Sequence, residues 1–140
     1  MRRKIADGNV TFTRADFSPD GSLLAVTPHR GKVRVYDLAS GQEKMQFEGT
    51  SPFSEGAVFS PDGKFLCTFG GSFDGRSPAT QCGLRLYRLA DGAEVWRSTA
   101  MEECQRAAFS PDGTRLFTAD TERNVWMWKM DLTAAGAARP

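Results

Sequence analysis

Few side chains in this sequence could do covalent chemistry, and their spacing works against it. His29 is the single histidine, and a Ser-His-Asp or Cys-His nucleophilic set would need it. It stands in Pro28-His29-Arg30-Gly31 with no Gly-x-Ser-x-Gly elbow anywhere in the chain, and so reads as a solvated loop histidine. Cys67, Cys82 and Cys104 form no close pair, so CxxC-type zinc spacing is missing. Gly63-Lys64 lacks the upstream glycine and the following hydroxyl of a phosphate loop. Asp20, Asp62 and Asp112 recur, but each sits in Ser-Pro-Asp-Gly, where turn geometry explains the carboxylate without calcium. Trp126 and Trp128 flank Met127 and read as packing rather than as a platform for stacked bases. The expectation is a chain with no catalytic residue, no cofactor and no metal.

Composition points the same way. The 140 residues fit one domain. Eighteen basic residues against seventeen acidic ones leave a net charge of +1, too little field to draw in nucleic acid or an anionic membrane. Charged residues at 25% and hydrophobic ones at 40% are the mixture of a globular chain, not a disordered one. Met1-Arg2-Arg3-Lys4 is followed by no apolar stretch, so no secretory signal is read there, and no apolar run approaches the ~18–20 residues that cross a bilayer. The Asn9-Val10-Thr11 sequon is then a chance match. A cytoplasmic protein with reduced thiols is expected.

The elements that hold these residues come from a repeat. Phe-Ser-Pro-Asp-Gly occurs at 17–21, 59–63 and 109–113. Each copy has an alanine two residues before the Phe (Ala15, Ala57, Ala107) and a leucine seven after it (Leu24, Leu66, Leu116). A second apolar block follows: Val33-Arg34-Val35-Tyr36, Leu84-Arg85-Leu86-Tyr87, and Val125-Trp126-Met127-Trp128. The blocks have strand length, and Val33 and Val35 alternate with Arg34. In Ser-Pro-Asp-Gly, proline presets φ, the Asp bonds back to the local backbone and glycine accepts positive φ. Ala39-Ser40-Gly41 and Ala90-Asp91-Gly92 close a second hairpin in the same way. Each unit reads as four short strands, and no stretch keeps a helical period.

Four strands per unit, a period near that of a propeller blade and an aromatic ending the third strand make the sequence similar to the WD-repeat β-propeller family, and to its bacterial members in units one and two. The resemblance spans roughly residues 5–132. The signature Trp-Asp stands here as Tyr36-Asp37, Tyr87-Arg88 and Trp128-Lys129, and the Gly-His position holds Asp7-Gly8, Gly49-Thr50 and Thr99-Ala100. The family's buried Trp–Ser/Thr–His–Asp hydrogen-bond chain therefore cannot form as such.

The resemblance implies an all-β fold, a partial β-propeller of three four-stranded antiparallel blades, either an open arc or a ring closed by oligomerisation. Residues 1–12 are expected to be an outer strand of a preceding or partner blade plus a connector. Blade 1 is expected over 13–48 and blade 2 over 49–98, with an inserted loop at 70–82. Blade 3, over 99–132, is expected to lack its outer strand, with a disordered tail at 133–140. Three blades are too few for a ring, so both ends would leave an apolar sheet face bare. Head-to-tail self-association would cover them, and a dimer would give six blades. Alternatively the chain is a fragment of a longer propeller, an accessory segment of an enzyme such as a peptidase, or a non-functional relic.

In such blades the loops between second and third strands share a face with the inter-blade loops, the usual partner-binding side. The candidate residues there are Phe73, Asp74 and Arg76 in the insertion, His29 and Arg30 in unit one, and Arg123 in unit three. Phe and Arg are residue types favoured as interface anchors. The function expected is a protein-interaction scaffold with an unidentified protein partner.

Overall fold

The computed structural model describes residues 4–5, 11–50, 53–71, 83–100, 103–133 and 137–139. Those residues form twelve strands and no helix. The strands are β1 (Phe12–Phe17), β2 (Leu23–Pro28), β3 (Val33–Asp37), β4 (Glu43–Phe47), β5 (Phe53–Phe59), β6 (Phe65–Gly71), β7 (Gly83–Arg88), β8 (Glu94–Ser98), β9 (Cys104–Phe109), β10 (Arg115–Asp120), β11 (Val125–Asp131) and β12 (Ala137–Arg139). They make three antiparallel sheets, each a simple meander of four: β1-β2-β3-β4, β5-β6-β7-β8 and β9-β10-β11-β12.

The repeated pentapeptide closes the first hairpin of every sheet by one set of bonds. Ser18, Ser60 and Ser110 donate their hydroxyls to Asp20, Asp62 and Asp112, each at 2.6 Å. The same aspartates accept the backbone N–H of Ser22, Lys64 and Thr114 at 3.0 Å. Gly21, Gly63 and Gly113 take φ of 71°, 69° and 71°, the left-handed region that a Cβ disfavours. The β3–β4 and β7–β8 turns also match in backbone, with Gly41 and Gly92 at φ 73° and 74°. Their side-chain closures differ. Asp37 accepts from the Ser40 N–H and hydroxyl at 2.7 and 2.8 Å, whereas Arg88 reaches forward to Asp91 at 2.8–3.1 Å.

The register makes the units superimposable. Leu24 faces Tyr36, Leu66 faces Tyr87, and Leu116 faces Trp128. The core lies between sheets. One cluster joins sheets one and two through Val33, Val35, Phe47, Phe59, Leu66 and Tyr87. The other joins sheets two and three through Phe65, Phe69, Leu86, Cys104, Leu116 and Trp128. At each junction a fourth-strand aromatic meets a third-strand aromatic of the next sheet: Phe47 with Tyr87 at 5.0 Å between ring centroids, and Trp96 with Trp128 at 5.6 Å, edge to face. A polar bond crosses the first junction, where Asp16 on β1 accepts the Phe59 N–H at 3.0 Å.

The structure differs from the sequence expectation at two places among the described residues. The third sheet does not lack its fourth strand, and 137–139 is not a disordered tail: Lys129, Met130 and Asp131 pair with Arg139, Ala138 and Ala137. Backbone hydrogen bonding is enough to add so short a strand to an open edge. The inserted loop does not begin at 70, because Gly70 and Gly71 continue β6 opposite Ser54 and Phe53. The outer strand expected within 1–12 falls mostly on residues 1–3 and 6–10, which lie outside the described residues; of the rest, Lys4 and Ile5 lie in no strand and Phe12 opens β1.

Candidate partner-binding face

A four-strand meander places its first and third turns at one end and its second loop and exit at the other. The Ser-Pro-Asp-Gly turns therefore share the first end with the β3–β4 and β7–β8 turns. The loops of the candidate residues share the opposite end. His29 and Arg30, both exposed, lie between β2 and β3, and the His29 N–H donates to the Thr11 carbonyl at 2.8 Å. Arg123, also exposed, lies between β10 and β11. His29 and Arg30 are thus at the same end as Arg123 but two sheets away from it. Phe73, Asp74 and Arg76 lie outside the described residues.

Arg123 is held in an unusual backbone state. Its φ of 71° is the single positive value at a described non-glycine residue. Asp120 organises that turn: it accepts the Asn124 N–H at 2.8 Å, the Asn124 side-chain amide at 3.0 Å and the Trp126 indole N–H at 2.8 Å. The Trp126 bond and those to Asn124 hold the Asp120 carboxyl below its usual range. Nearby, Glu103 takes a bond from the Thr121 hydroxyl at 3.4 Å, while its other oxygen is buried without a partner among the described residues. Burial raises its pKa, and the Glu55 charge adds to the rise. The β10–β11 turn is thus closed by its own side chains, with the Asp120 and Glu103 carboxylates on it. Sequence reasoning missed Asp120; the available signal was Asp-x3-Asn-x-Trp spanning a four-residue turn.

The two described cysteines are poor nucleophiles. Cys67 and Cys104 are free and buried. Burial pushes Cys104 up to about 12 and Cys67 higher still, and a thiol that stays protonated attacks nothing.

The signature positions behave differently in each sheet. In sheet three the Trp128 indole donates to the Thr118 hydroxyl at 2.9 Å. In sheet two Tyr87 and Thr68 occupy those places, and both donate to the Glu48 carbonyl, at 3.0 and 3.4 Å. In sheet one they are Tyr36 and Val26. Thr50 stands where the resemblance predicted a histidine. It is 1% exposed, and its hydroxyl has no partner among the described residues.

Three twisted meanders packed face to face through aromatic junctions define the class: these are blades of a β-propeller. The WD domain, G-beta repeat family matches residues 103–129. The human WD repeat and SOCS box-containing protein 1 is 32% identical over 125 residues, covering 88% of this chain and 28% of that protein. The small ribosomal subunit protein RACK1 of Schizosaccharomyces pombe is 29% identical over 123 residues, covering 81% of this chain and 36% of its own. The solved structure of U3-55K superimposes with a TM-score of 0.79 at 15% identity, over 99% of this chain and 41% of that one. The chain belongs to the WD-repeat family. It spans about a third of the length of these relatives.

Proposed function

We propose that the chain is a protein-interaction scaffold without catalytic chemistry, whose two end blades pack head to tail against those of a second copy. WD-repeat proteins serve as interaction scaffolds, and a relative named as a ribosomal subunit protein fits that role. The observation that carries the reading is the far face of the third blade. Its positions equivalent to Val33 and Val35, and to Leu84 and Leu86, are Val125 and Met127. The first four are at most 1% exposed because the next blade covers them, whereas Val125 is 74% and Met127 57% exposed, with Phe117 beside them at 39%. At the other end, Phe17 is 62% exposed where its equivalent Phe59 is 6%. The two bare faces correspond to the two sides of the junctions already inside the chain, so one suits the other. Because β12 occupies the edge of β11, the contact is face to face and not the donation of a strand.

Light scattering on a sizing column tests this directly. A discrete species of about twice the 15.4 kDa chain mass, shifted to monomer by Met127→Glu, is the expected result. A wild-type monomer overturns head-to-tail pairing, and the faces would then belong to blades of a longer chain.

A further inference from the structure

At the turn end, away from His29 and Arg123, each blade junction opens into a groove, and the two grooves have opposite charge. The first, of about 610 Å³, has a floor of Leu23, Met45, Phe65 and Leu89. Lys44, Lys64 and Arg88 rim it, and among the described residues no carboxylate lines it. The second, of about 210 Å³, has Met130 and Leu132 as its apolar part and Asp62, Asp112 and Asp131 around them. The grooves are repeat equivalents: Gly63-Lys64 corresponds to Gly113-Thr114, and Leu89-Ala90 to Met130-Asp131. The fold therefore makes a groove at each junction, and the residues placed on it set its sign.

We propose that the first groove docks a short extended peptide in which acidic residues flank large apolar side chains. The volume is in the ~300–1,000 Å³ range of sites that enclose a ligand. Floor and rim ask for different chemistry from one occupant. The apolar floor takes side chains such as Leu or Phe. The rim takes carboxylates, because Lys44 and Lys64 are exposed and, among the described residues, neither forms a salt bridge, although the Asp37 charge acts on Lys44 at longer range. Arg88 is already engaged by Asp91, which leaves the two lysines as the selecting charges. A basic peptide would be repelled here, and the aspartates of the second groove would repel an acidic one.

The test is an array of hexapeptides that combine two Leu or Phe with two or three Asp or Glu in all orders, probed with the labelled full chain. A matched array with Lys in place of the acids is the control. Acidic members are expected to capture the chain, more weakly as salt is raised. Solution titration of the best binder should then show an affinity loss of roughly tenfold or more in Lys44→Glu/Lys64→Glu, and a smaller loss in the charge-neutral Lys44→Gln/Lys64→Gln. Asp112→Lys in the second groove should leave the affinity unchanged. Far-UV circular dichroism checks that each variant is folded, and the neutral pair decides the matter if the reversed pair is not. Absence of acidic binders, equal capture by the lysine array, or indifference to the folded lysine variants would overturn the proposal. Neither outcome bears on the end-face contact, which the solution mass reads separately.

Discussion

The indole N–H of Trp128 donates to the hydroxyl of Thr118 across the β10–β11 pair at 2.9 Å, and both side chains are almost fully buried, at 4% and 2% exposure. The bond gives the indole N–H buried in the second junction its partner. It also keeps part of the family's buried polar chain in a blade that has no histidine at the expected place.

Thr118→Val removes that acceptor while conserving shape. The stranded indole N–H should lower stability by about 1–3 kcal/mol. Adding Trp128→Phe should cost less in the Thr118→Val background than in the wild type, because the donor it deletes is already unpaired. Urea unfolding of the four proteins gives the coupling, and strict additivity would show that the bond contributes nothing.

Thr50 is the converse case. Its hydroxyl is buried and unpartnered among the described residues, so Thr50→Val exchanges an unsatisfied group for a methyl of similar size. We expect a gain of about 1 kcal/mol, read as a higher urea midpoint at unchanged slope. A loss of stability would mean that the hydroxyl is satisfied.

The turn aspartates predict an acid response. Hydrogen bonds from Ser18 and Ser22 lower Asp20 from 3.8 to about 2, and bonds from Ser110 and Thr114 do the same for Asp112. A carboxyl whose folded pKa lies below its unfolded value stabilises the fold in its charged form. That contribution is complete above the unfolded value near pH 4 and is lost as pH falls towards 2. Urea midpoints measured from pH 6 to pH 2 should fall across this window, and Asp20→Asn/Asp112→Asn should flatten the decline. An unchanged slope would remove the turns from the acid response.

Burial of Cys67 and Cys104 predicts silent thiols. In a Cys82→Ser background the native chain should react slowly with an aromatic disulfide reagent at pH 8 and give two equivalents in urea. Fast native reaction would show that the second junction opens readily.

The hairpins were legible in the sequence because Ser-Pro-Asp-Gly fixes a turn by short-range chemistry alone, and the Leu-to-aromatic spacing then sets the register. The strand Ala137–Arg139 was not, since three residues without an apolar alternation carry no signal beyond backbone groups available for pairing. The candidate loop residues were partly legible. His29, Arg30 and Arg123 could be assigned to loops from the repeat, but the role of Asp120 depends on a turn whose shape only the structure gives. The signs of the two grooves were hidden for another reason. Lys44 and Lys64 are 20 positions apart and in different units, so they become neighbours only once one blade is stacked on the next.

All three tryptophans, Trp96, Trp126 and Trp128, belong to the second and third blades, and Trp96 and Trp128 meet across the junction between them. The first junction is built on phenylalanine and tyrosine. Intrinsic tryptophan emission is therefore a local reporter of one half of the array, while circular dichroism sums the whole. In a linear stack each blade is held by its neighbours alone, so the two signals distinguish an array that melts as one body from one that unzips blade by blade.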